Sequence, residues 1–160
     1  ISRTRWTGAP RAARPGDVVV VANDAFRRTA VVGDLVAAML RNKGVAAFVT
    51  DGLARDKAGI VAAGLPLFCA GINPNSPAMN GPGIVGAPIV LGDVHVRPGD
   101  IVLGDADGVA IVPLDKAEAV LERLARVRAA EASAEQRVKA GLAELESARA
   151  MIANARIVEP

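Results

Sequence analysis

Two uninterrupted apolar runs, V-V-V-V at residues 18–21 and V-A-A-F-V-T at residues 45–50, constrain this chain more than any other feature. A strand with one face in water alternates apolar and polar residues. A run that is apolar throughout suits a strand buried on both faces, as in a parallel sheet. Between the runs lie a turn-rich stretch, N-D-A-F-R-R at 23–28, and a helix expected over 30–42 that stops at Lys43-Gly44. A second helix is expected from near Arg55 to Gly64, followed by a third short strand in L-P-L-F-C-A, residues 65–70. The order β-α-β-α-β predicts a parallel sheet covered by helices.

The texture then changes. Residues 72–83, I-N-P-N-S-P-A-M-N-G-P-G, consist mostly of turn formers and predict a long loop, a kind of segment that is often functional. Short strands are expected at 87–91, 94–96, 100–103 and 109–112, separated by turn residues. From Leu114 a helix is expected to run to about Ala155, opened by Asp115 and Glu118 and broken near Gly141. Residues 1–16 read as a polar lead-in in which Trp6 anchors to a neighbour, and no internal repeat is evident. The chain has 160 residues, one domain by size. It is 51% hydrophobic but 2% aromatic, so its core must be built from Val, Ile, Leu and Ala.

Charge and cysteine usage exclude several classes. The net charge is +2 with arginines scattered, which is not a nucleic-acid signature. One cysteine, Cys69, cannot form an internal disulfide, so a reducing cytoplasm is the default. No apolar run is long enough for a membrane span, and the first residues lack a signal-peptide core. The sequence starts without Met, which reads as an internal or truncated start.

The chemistry-bearing residues are Asp34, in G-D-L, and the pair Arg55-Asp56, in D-G-L-A-R-D, with twenty residues between Asp34 and Arg55. One helix-plus-strand unit fills such a gap and returns the chain to the same place. Asp34 lies near a helix start, where free backbone amides and the helix dipole receive an anion. Arg55-Asp56 follows a strand, at the sheet edge where open α/β folds bind ligands. A guanidinium forks onto a carboxylate or enolate, and a carboxylate suits a hard divalent cation. The same residues also fit a helix-start Asp and a surface ion pair.

With these motifs the chain resembles the RraA-like superfamily, which includes the class II, metal-dependent aldolases of 4-hydroxy-4-methyl-2-oxoglutarate and 4-carboxy-4-hydroxy-2-oxoadipate. The resemblance runs from about Arg14 to Gly141. It includes R-P-G-D-V-V-V-V, G-D-L, D-G-L-A-R-D, G-L-P-L-F, G-P-G, V-R-P-G-D and G-D-A-D-G-V-A-I-V-P. It implies an α-β-β-α sandwich, one domain over residues 1–160 with a helical segment over 114–155, and a further N-terminal portion that this sequence lacks. It implies trimers or hexamers with the active site between subunits. Asp56 would bind Mg²⁺ or Mn²⁺, Arg55 would hold the pyruvyl oxygens, and Asp34 would orient a water of the metal's shell. Backbone amides from Gly33 through Asp34 to Leu35 would contact the substrate carboxylate. Glu131 would join from the neighbouring subunit, with Glu135 as the fallback.

Glu131 also continues a stripe of Val120, Leu124 and Val127 at helical spacing, where an apolar residue is expected. The implied function is a lyase that releases pyruvate from a 4-hydroxy-2-oxo acid and also decarboxylates oxaloacetate. The alternative is a non-catalytic relative that binds and regulates a ribonuclease or another partner. Neither nucleic acid nor membrane is an expected partner. The remaining candidates read as structural: His95 as an exposed strand residue, Cys69 as core, and Asp105 with Asp107 as turn formers.

Overall fold

A computed structural model describes residues 9–77 and 83–153. Trp6 and the Gly81-Pro82 part of the long loop lie outside the described residues. Two compact units divide the chain, Ile1–Asp115 and Lys116–Pro160.

In the first unit a short helix, α1 (Ala9–Ala12), precedes β1 (Val18–Val21), β2 (Ala30–Val32), α2 (Asp34–Asn42), β3 (Ala47–Thr50), β4 (Leu53–Ala54), α3 (Lys57–Ala63) and β5 (Leu67–Phe68). Strands β1, β3 and β5 form the expected parallel sheet in that order. Its core holds Leu40, Val45 and Phe48, each fully buried, together with Val31 and Val32. Burying a side chain such as Phe48 stabilises the fold by about 1.5–3 kcal/mol. Helix α2 turns Ala37 and Leu40 inward, the apolar face that its spacing predicts.

Three expectations change. The helix expected from Ala30 begins at Asp34, because A-V-V at its start forms strand β2 and Gly33 takes an extended backbone ahead of the helix. β-Branched residues favour that outcome, and a short apolar run does not distinguish helix from strand by periodicity. Strand β4, two residues long, was not foreseen, and it pairs in parallel with β2 as a separate ladder. The helix expected from Arg55 begins two residues later, at Lys57.

The all-β half follows as two antiparallel hairpins, β6 (Ile89–Leu91) with β7 (Val94–Val96), and β8 (Ile101–Gly104) with β9 (Val109–Val112). Gly104 lets β8 approach Phe68 of β5, since a Cβ there would stand 2.6 Å from the ring. One local repeat is present after all. R-P-G-D occurs at 14–17 and again at 97–100 and folds the same way twice. In each copy the Arg amide donates to the Asp Oδ2 at 2.8 Å, and the Asp amide returns to the Arg carbonyl at 3.1 Å. The glycines, at φ +86° and +92°, supply the left-handed step that closes each turn.

In the second unit, α4 (Ala117–Lys139) follows a 3-10 turn at Leu114–Lys116 and ends before Gly141, where the break was expected. Helix α5 (Glu146–Ile152) follows. Among the described residues no helix is long and apolar enough to cross a membrane.

Candidate active site

The unforeseen ladder builds the site. Strands β2 and β4 run parallel, with Ala30 opposite Leu53 and Val32 opposite Ala54. The chain therefore leaves both strands at the same end, into Gly33-Asp34 from one and Arg55-Asp56 from the other. The Arg55 amide donates to the Val32 carbonyl at 2.9 Å, which fixes the two exits side by side.

Two glycines close the remaining distance. A Cβ on Gly33 would stand 2.7 Å from Asp56 Oδ2 and 3.1 Å from Arg55 Nε. A Cβ on Gly59, in α3, would stand 2.5 Å from Asp34 Cβ and 2.6 Å from its Oδ2. Each acidic side chain is thus seated on a glycine of the other half of the motif, and the structure brings Asp34, Arg55 and Asp56 together.

Arg55 Nε pairs with Asp56 Oδ2 at 3.2 Å, with the two side chains 37% and 42% exposed. Arg55 Nη1 donates to Ser76 Oγ, so the guanidinium is held from two sides. Asp56 adopts the left-handed region at φ 57°, ψ 44° and makes no side-chain cap bond to α3. Asp tolerates that region better than most residues, and outliers of this kind cluster at functional sites. The turn aims the carboxylate at Arg55 instead of at the helix amides. Asp34, in the first turn of α2, is favoured there by the helix dipole. Its Oδ1 accepts the Leu35 amide at 2.7 Å, so a substrate carboxylate at that amide would replace Asp34.

Two supporting residues were missed. Asp51 accepts the amides of Asn23 at 2.8 Å and Ala25 at 3.0 Å, clamping the loop after β1 to the run that leads into β4. Asn23 Oδ1 is buried without a partner among the described residues. Ser76, the second, lies in the long loop. Its residue type carried no signal, because only the fold places it beside Arg55.

Glu131 is exposed, as are Val120, Leu124 and Val127, and α4 has no buried residue. The stripe does not face a core within its own unit, so burial gives Glu131 no special standing there. Glu135 pairs with Lys139 in the same helix. His95 is exposed, and half-buried Cys69 packs against the core with its thiol donating to the Gly71 carbonyl. Asp105 accepts the amides of Asp107 and Gly108, so D-A-D-G is a turn held by its first carboxylate.

A cleft of about 790 Å³ lies elsewhere in the first unit, lined by both R-P-G-D turns. Its carboxylates are engaged: Asp17 by the Arg14 amide, and Asp100 by the amides of Arg97 and Leu114. Asp100 is held below the usual carboxylate range, first by the Arg97 amide and then, against the opposing effect of burial, by the Leu114 amide and the Arg97 charge. Arg97 of this cleft pairs with Asp100 and Asp115, whereas at Arg55 the guanidinium meets Asp56 beside Asp34 where β2 and β4 end.

A parallel βαβ core followed by β-hairpins, with an Asp and an Arg-Asp converging at one end of the β2–β4 ladder, defines an α/β protein with a candidate site at its strand exits. Residues 5–111 match the RraA-like family, described as Aldolase/RraA, and the chain belongs to that family. It is 36% identical over 126 residues to a protein of Halalkalibacterium halodurans provisionally named a 4-hydroxy-4-methyl-2-oxoglutarate aldolase. That match takes in 79% of this chain and 60% of the relative's length. A protein of Pseudomonas syringae pv. tomato str. DC3000 superposes with a TM-score of 0.77 at 28% identity, covering 87% of this chain and 70% of that one. Streptomyces coelicolor RraAS2, described as an unusual member of the RNase ES inhibitor RraA family, superposes with a TM-score of 0.76 at 29% identity, covering 86% and 70%.

Proposed function

We propose that this chain is the core of a divalent-metal-dependent aldolase that cleaves a 4-hydroxy-2-oxo acid of the 4-hydroxy-4-methyl-2-oxoglutarate type to pyruvate. The observation that carries the reading is the convergence of Asp34, Arg55 and Asp56 across Gly33 and Gly59. The aldolase name of the 36% identical relative supports it.

The residues fit a hard cation. Asp56 is accessible, and its Oδ1 has no partner among the described residues. Mg²⁺ or Mn²⁺ takes few protein carboxylates and keeps several waters, and Asp56 would hold it. Such an ion, when bound, polarises the 2-oxo group and acidifies water.

The chain's own residues supply the rest. Arg55 binds the pyruvyl oxygens and stabilises the negative charge that grows on the 2-oxo oxygen. Asp34, through one water, takes the proton from the C4 hydroxyl as the C3–C4 bond breaks. The bonding pair passes to C3, the former C4 hydroxyl carbon leaves as a carbonyl, and protonation of C3 gives pyruvate. Loss of CO₂ from oxaloacetate produces the same enolate, so decarboxylation accompanies the aldolase activity. Glu131 of a neighbouring subunit completes the proton path in a cytoplasmic trimer or hexamer.

The likeness to an RraA inhibitor protein favours a second reading, a non-catalytic regulator of a ribonuclease. An accessible Asp56 held by Arg55 argues for the enzyme. The test is pyruvate release from 4-hydroxy-4-methyl-2-oxoglutarate and from oxaloacetate, with Mg²⁺ and with EDTA. Asp56→Ala should abolish release, and Arg55→Ala should lower it by orders of magnitude. Full activity in Asp56→Ala would remove the metal assignment.

A further inference from the structure

We infer that residues 73–76 form a positioning strap for Arg55, with Ser76 as the residue that sets the direction from which the guanidinium meets an anionic ligand. The inference rests on the reading of Arg55 as the pyruvyl-binding residue and adds a residue outside the motif that suggested it.

The strap is tied down along its length. Ile72 bridges to Ala54 in parallel, and the Asn73 amide donates to the Ala54 carbonyl at 2.9 Å. The Asn75 carbonyl accepts the Ala30 amide at 2.8 Å, so the strap touches the first residue of β2 as well as the last of β4. Asn73 Nδ2 donates to the Arg27 carbonyl at 3.2 Å and Asn75 Nδ2 to the Arg28 carbonyl at 3.3 Å. The Asn75 amide donates in turn to Asn73 Oδ1 at 2.9 Å. These bonds fix the backbone on either side of the β2–β4 ladder before Ser76 is reached.

Ser76 Oγ then accepts from Arg55 Nη1, while Asp56 Oδ2 faces Nε. A guanidinium offers five N–H donors in one plane. With Nε and one Nη1 hydrogen engaged, Nη2 has no acceptor among the described residues. The donors left for a ligand are the Nη2 hydrogens and the second Nη1 hydrogen, enough for the two oxygens of a carboxylate or the vicinal oxygens of a 2-oxo acid. An arginine released by Ser76 would rotate about its long side chain and lose that approach. The strap thus selects a ligand with two adjacent oxygens that meets the nitrogens Ser76 and Asp56 leave open.

The experiment uses the full chain with Ser76→Ala and Ser76→Thr, and oxalate as the probe because it carries adjacent oxygens in one plane. Calorimetry in Mg²⁺ should show oxalate affinity about tenfold weaker in Ser76→Ala, the effect of losing one hydrogen bond to a charged group. Ser76→Thr, which keeps the hydroxyl, should restore it. Mn²⁺ affinity should stay unchanged in both variants, since Asp56 is untouched. With oxaloacetate, KM should rise and kcat should fall together in Ser76→Ala, because Arg55 both binds the substrate and stabilises the growing charge, and Ser76→Thr should recover both. Equal oxalate binding by wild type and Ser76→Ala overturns the strap and leaves the aldolase reading intact. A Ser76→Thr variant as weak as Ser76→Ala also overturns it. A wild-type chain that binds no oxalate in Mg²⁺ overturns both.

Discussion

Replacing Gly59 by alanine separates a site built by close approach from an ordinary helix. Gly59 lies inside α3, where alanine is normally better than glycine by about 1 kcal/mol. Here the new methyl would stand 2.5 Å from Asp34 Cβ and 2.6 Å from Oδ2. Carbon–carbon contact needs about 3.5 Å, so Asp34 or α3 must move by about 1 Å. Overpacking of this kind costs about 1–3 kcal/mol, which offsets the helix gain and leaves a net loss of about 0–2 kcal/mol. The melting temperature should fall by no more than about 8 °C, at about 2–4 °C per kcal/mol for a chain of this size. Activity should fall much further, because a 1 Å displacement of a catalytic group costs about 100-fold. The assay is metal-dependent pyruvate release per folded molecule beside a thermal melt. Gly64→Ala is the control: it strains a left-handed C-cap at φ +69° with nothing within 4 Å, so it lowers stability and leaves activity per folded molecule intact. A Gly59→Ala protein that is more stable and fully active would show that Asp34 does not need its seat on α3.

Two further expectations follow from backbone and charge. Asp56→Gly and Asp56→Ala both remove the carboxylate, but only glycine relieves the left-handed backbone at φ 57°. The glycine variant should be more stable by about 1 kcal/mol in denaturant melts, and equal stabilities would refute the strain. Asp100 has a lowered pKa in the folded chain, so its ionised form stabilises the fold above the unfolded value near 4, and that contribution disappears as pH falls through the folded value. Asp100→Asn should therefore destabilise at pH 7, with the gap to wild type closing below about pH 4. A gap that is constant down to pH 2.5 would refute the assignment.

Much of the parallel core was legible because a strand buried on both faces writes itself as an unbroken apolar run, as in V-V-V-V. Strands β2 and β4 were not, because three and two residues carry no period. A-V-V ahead of Gly33 looks like the first turn of a helix until the fold pairs it with Leu53-Ala54. That pairing is also why the site was half readable. The spacing from Asp34 to Arg55 announced a return of the chain, whereas the seats on Gly33 and Gly59 and the contact with Ser76 depend on a ladder that spacing does not reveal. Glu131 is a different case, since a helical stripe indicates a common face without saying what covers it, and α4 buries no residue within its own unit.

The β2–β4 ladder has a consequence for motion. Strands this short cannot hold register alone, and here the amides of Ala30, Ala54, Arg55 and Asn73 are all tied into the same few bonds. Such a patch opens as a single cooperative unit. Slow amide exchange at these four positions should therefore share one opening free energy, and a ligand at Arg55 would raise it for all four at once, including residues it never touches. The least regular ladder among the described residues would then be the one that registers whether the site is filled.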